Sequence, residues 1–402
     1  MKEKIKKETH LILDDIIAFR RDLHSNPELS HNEKETSQKI KNELKKLNLD
    51  EIKSDLGGYG VAGVLRGGSP GKTLLIRGDM DALPIEEKTG LSYSSKNRGI
   101  MHACGHDFHT SILLGVAKVL TKLKKYIRGN IVFAFQPAEE ASPEGGAQGM
   151  INDGVLKVPN VDAAIALHVW NYDVGKVAFR RGTMMAQSDR IFITIKGKSS
   201  HASQPENGKD AILAASTIIT SIQSIVSRNV SPFDPLVITI GTIKGGSRYN
   251  VICDEVELEG TVRIFDEKLA KKVPVMLNKL VTSIGEGLGC DINFEYINGY
   301  KLLKNDEKLF DLSYPILVDQ IGEENIEIPE HPASGAEDFG AFSKYVPIFF
   351  MWLGMESDKN IGKTTLHNPT LTVDEDCIET GIESMSRLAI DILKNWQIIF
   401  SR

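Results

Sequence analysis

Several features are scarce in this 402-residue sequence, and each scarcity excludes a class of protein. Cysteine occurs only four times, at widely separated positions, so the pattern does not indicate a disulfide framework. We therefore expect a reducing, cytoplasmic location. No apolar run reaches the roughly 18–20 residues of a membrane span, and two aspartates interrupt the N-terminal stretch LILDDII. We expect neither a secretory leader nor a membrane partner.

Positive charge is not concentrated in any part of the chain. Lysine and arginine together number 48 against 54 aspartates and glutamates, which gives a net charge of −6. A nucleic-acid surface needs a clustered basic face, so we expect no nucleic-acid partner. The 41% hydrophobic and 25% charged content is that of an ordinary globular protein, and the length favours two domains.

The first 180 residues alternate between strand and helix patterns. Short apolar runs at 73–76, 131–135 and 163–167 are typical of strands buried on both faces of a mostly parallel sheet. Between two of these runs, apolar residues recur at helical spacing from 112 to 123. This order predicts an α/β fold.

From about residue 188 the order of elements changes to β-α-β-β-α-β, which is the ferredoxin-like pattern. After about residue 300 the pattern returns to buried strand and helix. We therefore predict that residues 1–186 and 300–402 form one α/β catalytic domain. Residues 187–299 are predicted to form an inserted ferredoxin-like α+β domain.

Acidic side chains and a histidine follow the predicted buried strands. Asp79 and Asp81 follow the first strand, Glu139 and Glu140 the second, and His168 the third. Because the carboxyl ends of parallel strands lie at one edge of a sheet, we expect these side chains to meet there. The carboxylates would repel one another without cations, and only one arginine is near. A bound divalent metal resolves this conflict.

Histidine is sparse, with ten in the chain, yet three fall in HACGHDFH at 102–109 beside a cysteine. Cys104 and His106 alternate by one residue, so an extended loop would point both at one ion. With His168, Glu140 and a later histidine, best met by His367 in LHNP, they make a mixed N/S/O donor set. Such a set suits Zn²⁺ or Mn²⁺, with Co²⁺ and Ni²⁺ as alternatives. The histidines at 102 and 109 either support the site from outside or pack in the core.

Seven motifs in order carry a family resemblance over nearly the whole chain. They are GDMDALPI, HACGHDFHTSILLG, QPAEE, ALHVW, SSHAS, SGAEDF and LHNP. The sequence resembles the dinuclear-metal amidohydrolases and peptidases, a family that includes hippurate hydrolase, N-acyl-L-amino-acid amidohydrolases and hydrolases of indole-acetyl-amino acids. The resemblance implies hydrolysis of the amide bond of N-acyl-L-amino acids, with two divalent metal ions per subunit.

The resemblance also implies roles for particular residues. Glu139 would be the general base for a hydroxide that bridges the metals. Asp81 would orient a metal-bound histidine. The implied metal ligands are Cys104, His106, Glu140, His168 and His367.

Four residues in or near the inserted domain match the family as well. His201 would stabilise the oxyanion, and in the family the equivalent histidine reaches into the partner subunit's site. Asn250, Arg263 and Gly335 would bind the substrate, and arginine suits a carboxylate through bidentate hydrogen bonds. The inserted domain would then serve as a dimerisation domain or lid in a homodimer or homotetramer.

Three alternative functions stay open. Cys104 and His106 could form a nucleophile and base pair, but this would leave both glutamates and His168 unused. A non-catalytic metal-binding homologue would have no need of Glu139 as a proton acceptor. A metallo-carboxypeptidase or dipeptidase of the same family would use the same ligands.

Overall fold

A computed structural model describes residues 1–157, 159–359 and 361–400 of the chain. The α-helices in this part of the chain are α1 (Lys2–His10), α2 (Leu13–Ser25), α3 (Lys34–Lys45), α4 (His106–Lys122), α5 (Ala147–Asn152), α6 (Ala211–Ser224), α7 (Glu267–Gly287), α8 (Glu307–Ile321) and α9 (Cys377–Phe400). The strands are β1 (Glu51–Leu56), β2 (Gly60–Arg66), β3 (Ser69–Asp79), β4 (Arg128–Gln136), β5 (Ala163–Asp173), β6 (Val177–Ala178), β7 (Gly182–Met185), β8 (Gln187–Lys196), β9 (Leu236–Gly245), β10 (Glu255–Ile264), β11 (Asp291–Tyr300), β12 (Leu303–Asn305), β13 (Ile326–Glu327) and β14 (Ile348–Glu356).

The chain forms two compact units. The second unit comprises Met185–Leu303 and the short segment Pro332–Glu337. The first unit comprises Met1–Met184, Lys304–His331 and Asp338–Arg402.

The first unit is built on one mixed sheet with the strand order β1-β2-β4-β3-β5-β14-β6-β13. Its four central strands, β4, β3, β5 and β14, run parallel to one another. Strands β1 and β2 pair antiparallel at one end of the sheet. The predicted α/β fold with a mostly parallel sheet is therefore confirmed. The strands extend beyond the predicted runs because an apolar pattern marks only the part buried on both faces.

Helix α4 shows how the sequence fixes this core. Its residues Phe108, Ile112, Val116 and Leu120 recur at a spacing of four, and all are fully buried against the sheet and neighbouring helices. Burial of each such side chain contributes about 1.5–3 kcal/mol to folding. The start of α4 is therefore held firmly beside the carboxyl ends of the central strands.

The second unit is a four-stranded antiparallel sheet with the order β11-β8-β10-β9. Helices α6 and α7 complete the chain order β-α-β-β-α-β, so the ferredoxin-like prediction is confirmed. Strand β8 alternates strictly, and its Ile191, Ile193 and Ile195 lie in a core shared with both helices. Such alternation is expected of a sheet with helices on one face only.

One helix in the described residues, Ala211–Asn229, is long and apolar enough to cross a membrane by length and composition alone. It consists of α6 and the π-helical turn that follows. Its residues Ala214, Ala215, Ile218 and Ile222 are buried in the core of the second unit. The core helix of a soluble protein passes the same test, so this single helix is weak support for a membrane span.

The buried carboxylate of Asp189 links β8 to β11, and its loss is expected to destabilise the second unit. It accepts hydrogen bonds from Gln187 Nε2 at 2.7 Å, the Tyr296 hydroxyl at 2.6 Å and the Gly299 amide at 2.9 Å. Asp189→Ala should lower the free energy of unfolding by about 2–4 kcal/mol because it leaves buried donors unpaired. Urea denaturation measures this loss. Asp189→Asn, which keeps an acceptor, should lose less, and equal stability of all three proteins would contradict the prediction.

Candidate metal centre

The parallel strands bring the predicted acidic residues and His168 to one edge of the first unit's sheet. Asp79 is the last residue of β3, and Asp81 lies two residues beyond it. Strand β4 ends at Gln136, and the turn after it carries Glu139 and Glu140. His168 lies within β5, next to β3. The topology therefore places these side chains together although they are far apart in sequence.

The five predicted metal ligands lie close together in two groups that share one atom. The Cys104 sulfur is 3.4 Å from His168 Nε2 and 3.3 Å from His367 Nε2. The ligand atoms of Cys104, His106 and His168 all lie within 4.8 Å of one another, and those of Cys104, Glu140 and His367 do the same. Sulfur and nitrogen ligands of one tetrahedral zinc ion lie about 3.6 Å apart. The spacings fit two adjacent ions that share the thiolate of Cys104.

Hydrogen bonds at the far ring nitrogens orient two of the histidines. His106 Nδ1–H donates to Asp81 Oδ1 at 3.1 Å, and His168 Nδ1–H donates to the Val169 carbonyl at 2.7 Å. His106 Nε2 is buried and has no hydrogen-bond partner among the described residues. Each ring is therefore in the tautomer that leaves Nε2 free to bind a metal, as carboxylate and carbonyl partners generally arrange.

The electrostatics of the site also call for bound cations. Burial lowers the pKa of His106, but Asp79 and Asp81 outweigh this and raise the pKa to about 10. Burial, together with Glu140 and Glu139, raises the pKa of the Cys104 thiol well above its usual value. A coordinated divalent ion would reverse both effects, because it takes the place of the proton on nitrogen and on sulfur. The donor set therefore fits divalent metal.

The prediction of an extended loop that carries Cys104 and His106 was wrong. Gly105 has a left-handed backbone with φ of 82°, and His106 is the first residue of α4. A Cβ at Gly105 would come within 2.3 Å of Val169 Cγ2. The two ligands converge because a tight glycine turn starts a helix between them, and not because side chains alternate along a strand.

The backbone of the last predicted ligand, His367, is held in an unusual conformation. Its φ is 63°, and its amide donates to the carbonyl of Ala103, the residue before Cys104, at 2.7 Å. Its Nε2 lies 3.1 Å from Glu140 Oε1. A hydrogen bond thus directly connects the chain segments that carry the first and last predicted ligands.

Glu139 lies beside the ligands and is buried. Its Oε2 is 3.9 Å from His106 Nε2, and its Oε1 accepts a hydrogen bond from the amide of Asp338 at 3.4 Å. Only 6% of the residue is exposed. This is a suitable position for a proton acceptor next to, but outside, the two groups of ligands built on Cys104.

The sequence left the role of His109 open, and in the structure both of its ring nitrogens have hydrogen-bond partners. Its Nδ1–H donates to Asp79 Oδ1 at 2.6 Å, and its Nε2 accepts the Val169 amide hydrogen at 2.9 Å. Both nitrogens are therefore occupied without a metal. His102 is buried, and burial lowers its pKa to about 4. Neither of its nitrogens has a hydrogen-bond partner in the described part of the chain.

Sequence reasoning missed the buried ion pairs behind the site. Arg77 donates to Asp79 at 2.6 Å and to Asp338 at 2.9 Å. Gln136 Nε2 also donates to Asp338, at 2.8 Å to each oxygen. Asp338 belongs to the motif SGAEDF, so the motif indicated that this segment lies at or near the site. Nothing in the sequence showed that its partner would be Arg77, which is 261 residues away.

The other four predicted site residues belong to the second unit, at two places. His201 is exposed, and its Nδ1 accepts the Ser203 amide hydrogen at 3.1 Å, so the neutral ring carries its proton on Nε2. The Asn250 carbonyl accepts the Ala202 amide hydrogen at 3.1 Å, which places Asn250 beside His201.

Arg263 is the residue before the last of β10, so it lies at the opposite end of this strand from His201 and Asn250. Its Nε donates to the carbonyl of Ser334, next to Gly335, at 3.2 Å. Burial lowers the pKa of Arg263. About eight residues of β10 separate this place from the end of the strand near His201 and Asn250, or roughly 27 Å at the usual rise per residue. One chain therefore does not bring the four residues together.

Comparison with known proteins shows the family to which the chain belongs. The model of Peptidase family M20/M25/M40 matches residues 75–391. The chain belongs to this family. The resemblance deduced from the motifs is thereby confirmed.

Two relatives and a solved structure illustrate the family. The chain is 42% identical to the N-acyl-L-amino acid amidohydrolase of Geobacillus stearothermophilus, over 76% of this chain and 81% of the relative. It is 37% identical to thermostable carboxypeptidase 2 of Saccharolobus solfataricus, over 96% and 98%. The crystal structure of the Bacillus subtilis YXEP protein, a dinuclear metal binding peptidase from the M20 family, superposes with a TM-score of 0.82 at 32% identity, covering 96% of this chain and 99% of that one. The chain is an amidohydrolase of the M20 family.

The glycine turn between the first two ligands gives a direct test of the site. Gly105→Ala should reduce the amount of metal bound at least tenfold, because a Cβ at φ of 82° is strained and would clash with Val169. Elemental analysis after dialysis against limiting Zn²⁺ measures this. Gly90→Ala is the matched control, since Gly90 also has a positive φ of 72° but no atom lies within 4 Å of its Cβ position. Equal metal content in the two variants would contradict the prediction.

Proposed function

We propose that the protein removes the acyl group from N-acyl-L-amino acids with two divalent metal ions per subunit, Zn²⁺ or Mn²⁺ being the native metals. The observation that carries this proposal is the pair of ligand groups that share Cys104, with Glu139 alongside. The relative of Geobacillus stearothermophilus acts on the same class of substrate by its name. All four cysteines are free, which supports the cytoplasmic location expected from the sequence.

The residues of the site suit a hydrolysis that needs one proton acceptor and one oxyanion donor. When bound, the two ions would lower the pKa of a coordinated water to about 7 and polarise the scissile carbonyl. Glu139 accepts the proton of the attacking water and passes it to the departing amine. Asp81 holds His106 in the tautomer that binds metal. His201 donates its Nε2–H to the oxygen that becomes negative in the transition state.

A thiol mechanism is disfavoured by the surroundings of Cys104. A nucleophilic cysteine needs a lowered pKa, whereas burial and two glutamates raise the pKa of this thiol. A carboxypeptidase is the second candidate, because the chain is also similar to a carboxypeptidase over nearly its whole length. Such an enzyme would cleave a peptide in place of an acyl amide at the same ligands.

We further propose that the protein is a homodimer formed through the second unit. Strand β9 is an edge strand, since β10 is its one partner among the described residues, and its Val237 and Ile243 are 43% and 56% exposed. On helix α6, Ile212 and Leu213 are 47% and 53% exposed. An exposed, apolar edge strand is a surface that pairs readily with another strand. We propose that a second copy of this chain, related by a two-fold axis, packs against this surface.

A dimer also accounts for the separation of His201 and Asn250 from Arg263 and Gly335. The two ends of β10 beside these pairs lie roughly 27 Å apart, which is too far for one small substrate to contact both pairs. In a two-fold dimer the first pair can serve the site of the partner subunit. Each active site would then contain residues of both chains.

The role of Glu139 is tested by Glu139→Gln. This variant should lose at least about 10³-fold in kcat because the amide cannot accept a proton, while its metal content stays that of the wild type. The assay uses N-acetyl, N-benzoyl and N-succinyl amino acids, with dipeptides as the test of the carboxypeptidase alternative. A chelator should abolish wild-type turnover and iodoacetamide should not, since the thiol is a ligand. Turnover by Glu139→Gln near the wild-type rate would remove the assignment.

Sharing of sites between subunits is tested by mixing two inactive variants. His201→Ala alone should lower kcat roughly 10²–10³-fold, as expected for one lost oxyanion donor. Co-expressed with Glu139→Gln, it forms mixed dimers in which one site carries both changes and the other carries neither, so about a quarter of wild-type activity should return. If His201 served its own subunit, every site would keep one defect and no activity would return.

A further inference from the structure

The turn that carries the proposed base has an unusual backbone. Ala138, directly before Glu139, has φ of 55°, in the left-handed region that residues with a Cβ avoid. Ala138 is fully buried. A conformation of this kind persists only where the surroundings impose it. The contacts of Ala138 therefore hold the peptide that leads into Glu139.

Three consecutive amides of this turn donate to two carboxylates. The amide of Glu139 donates to Asp81 Oδ1 at 3.1 Å, and the amide of Glu140 to Asp81 Oδ2 at 3.0 Å. The amide of Ala138 donates to Glu33 Oε1 at 2.8 Å. Asp81 has a place in the metal site through His106. Glu33 contacts no predicted ligand in this way. It is the residue directly before α3 and belongs to a different part of the chain.

Burial of the Glu33 carboxyl group has an unfavourable free energy. The residue is fully buried, and burial together with the nearby Asp81 raises its pKa to about 7. Its Oε1 accepts the Ala138 amide hydrogen, which compensates for the lost hydration of that oxygen, whereas Oε2 is buried with no hydrogen-bond partner in the described part of the chain. Its bond to the Ala138 amide is the contact that reaches the catalytic turn.

We propose that Glu33 is a positioning residue for the general base. Its hydrogen bond to the Ala138 amide holds the left-handed turn and thereby sets the position of the Glu139 carboxylate. Without this bond, Ala138 would relax to a negative φ, and the peptide that leads into Glu139 would rotate. The inference rests on the proposed function, because it takes Glu139 to be the base.

The test uses substitutions at Glu33 combined with Ala138→Gly. Glu33→Gln keeps an oxygen acceptor of the same length, so its kcat should stay within about threefold of the wild type. Glu33→Met has the same length and no oxygen, and its kcat should fall about 10²-fold, the scale of a misplaced catalytic group. KM and metal content should not change. Glu33→Asp, which keeps the charge but is too short by one methylene, should behave like Glu33→Met if the latter does not fold.

Suppression by glycine separates positioning from a general structural role. Glycine adopts a positive φ without strain, so Ala138→Gly should restore kcat at least tenfold in the Glu33→Met or Glu33→Asp background and change the wild type little. The same pairs should show coupling in the midpoint of thermal unfolding, which is measured without turnover. Equal kcat losses in Glu33→Gln and Glu33→Met, or no restoration by glycine, would overturn the inference. A wild-type rate in Glu139→Gln would instead overturn the base assignment and leave the coupling between positions 33 and 138 as measured.

Discussion

Asp81 accepts four hydrogen bonds from three separate parts of the chain, and the geometry of the candidate metal centre depends on them. The donors are the Ser30 hydroxyl, His106 Nδ1–H and the amides of Glu139 and Glu140. One fully buried carboxylate thus connects the segment before α3, the start of α4 and the turn after β4. Its pKa is lowered, because these donors outweigh the effect of burial. The ionised form is the one that can serve all four donors at once.

The same edge of the sheet gathers more negative charge than its basic residues can balance. Arg77 is used by Asp79 and Asp338, on the inner side of the site. The donor atoms of Cys104 and His106 are buried and face carboxylates. Divalent ions are the partners that suit such a set, because they neutralise carboxylates and a thiolate together. The charge of the site and its ligand spacing therefore lead to the same conclusion independently.

Three residues with positive φ lie next to or among the ligands: Gly105, Ala138 and His367. Each turns the chain sharply, so that four of the five predicted ligands come from loops and a helix start, while His168 comes from strand β5. Left-handed backbone at residues other than glycine is sparsely populated and concentrates at functional sites. Here it is held by hydrogen bonds to Glu33 and to the Ala103 carbonyl. Residues outside the predicted ligand set thus hold the backbone on which the predicted ligands lie.

The sequence by itself determined the fold class, the central strands of the parallel sheet, the ferredoxin-like order of elements and the identity of the five candidate ligands. Apolar runs and their periods report local burial, and the motifs after the strands mark the chemistry, so these features are readable without coordinates. Only the tertiary structure decided that Cys104 belongs to both groups of ligands, that His109 supports Asp79, and that Arg77 meets Asp338. It alone also showed the contact of Glu33 with the turn that carries Glu139. These are contacts between segments far apart in the chain, and a local pattern carries no information about which distant partner packing will supply.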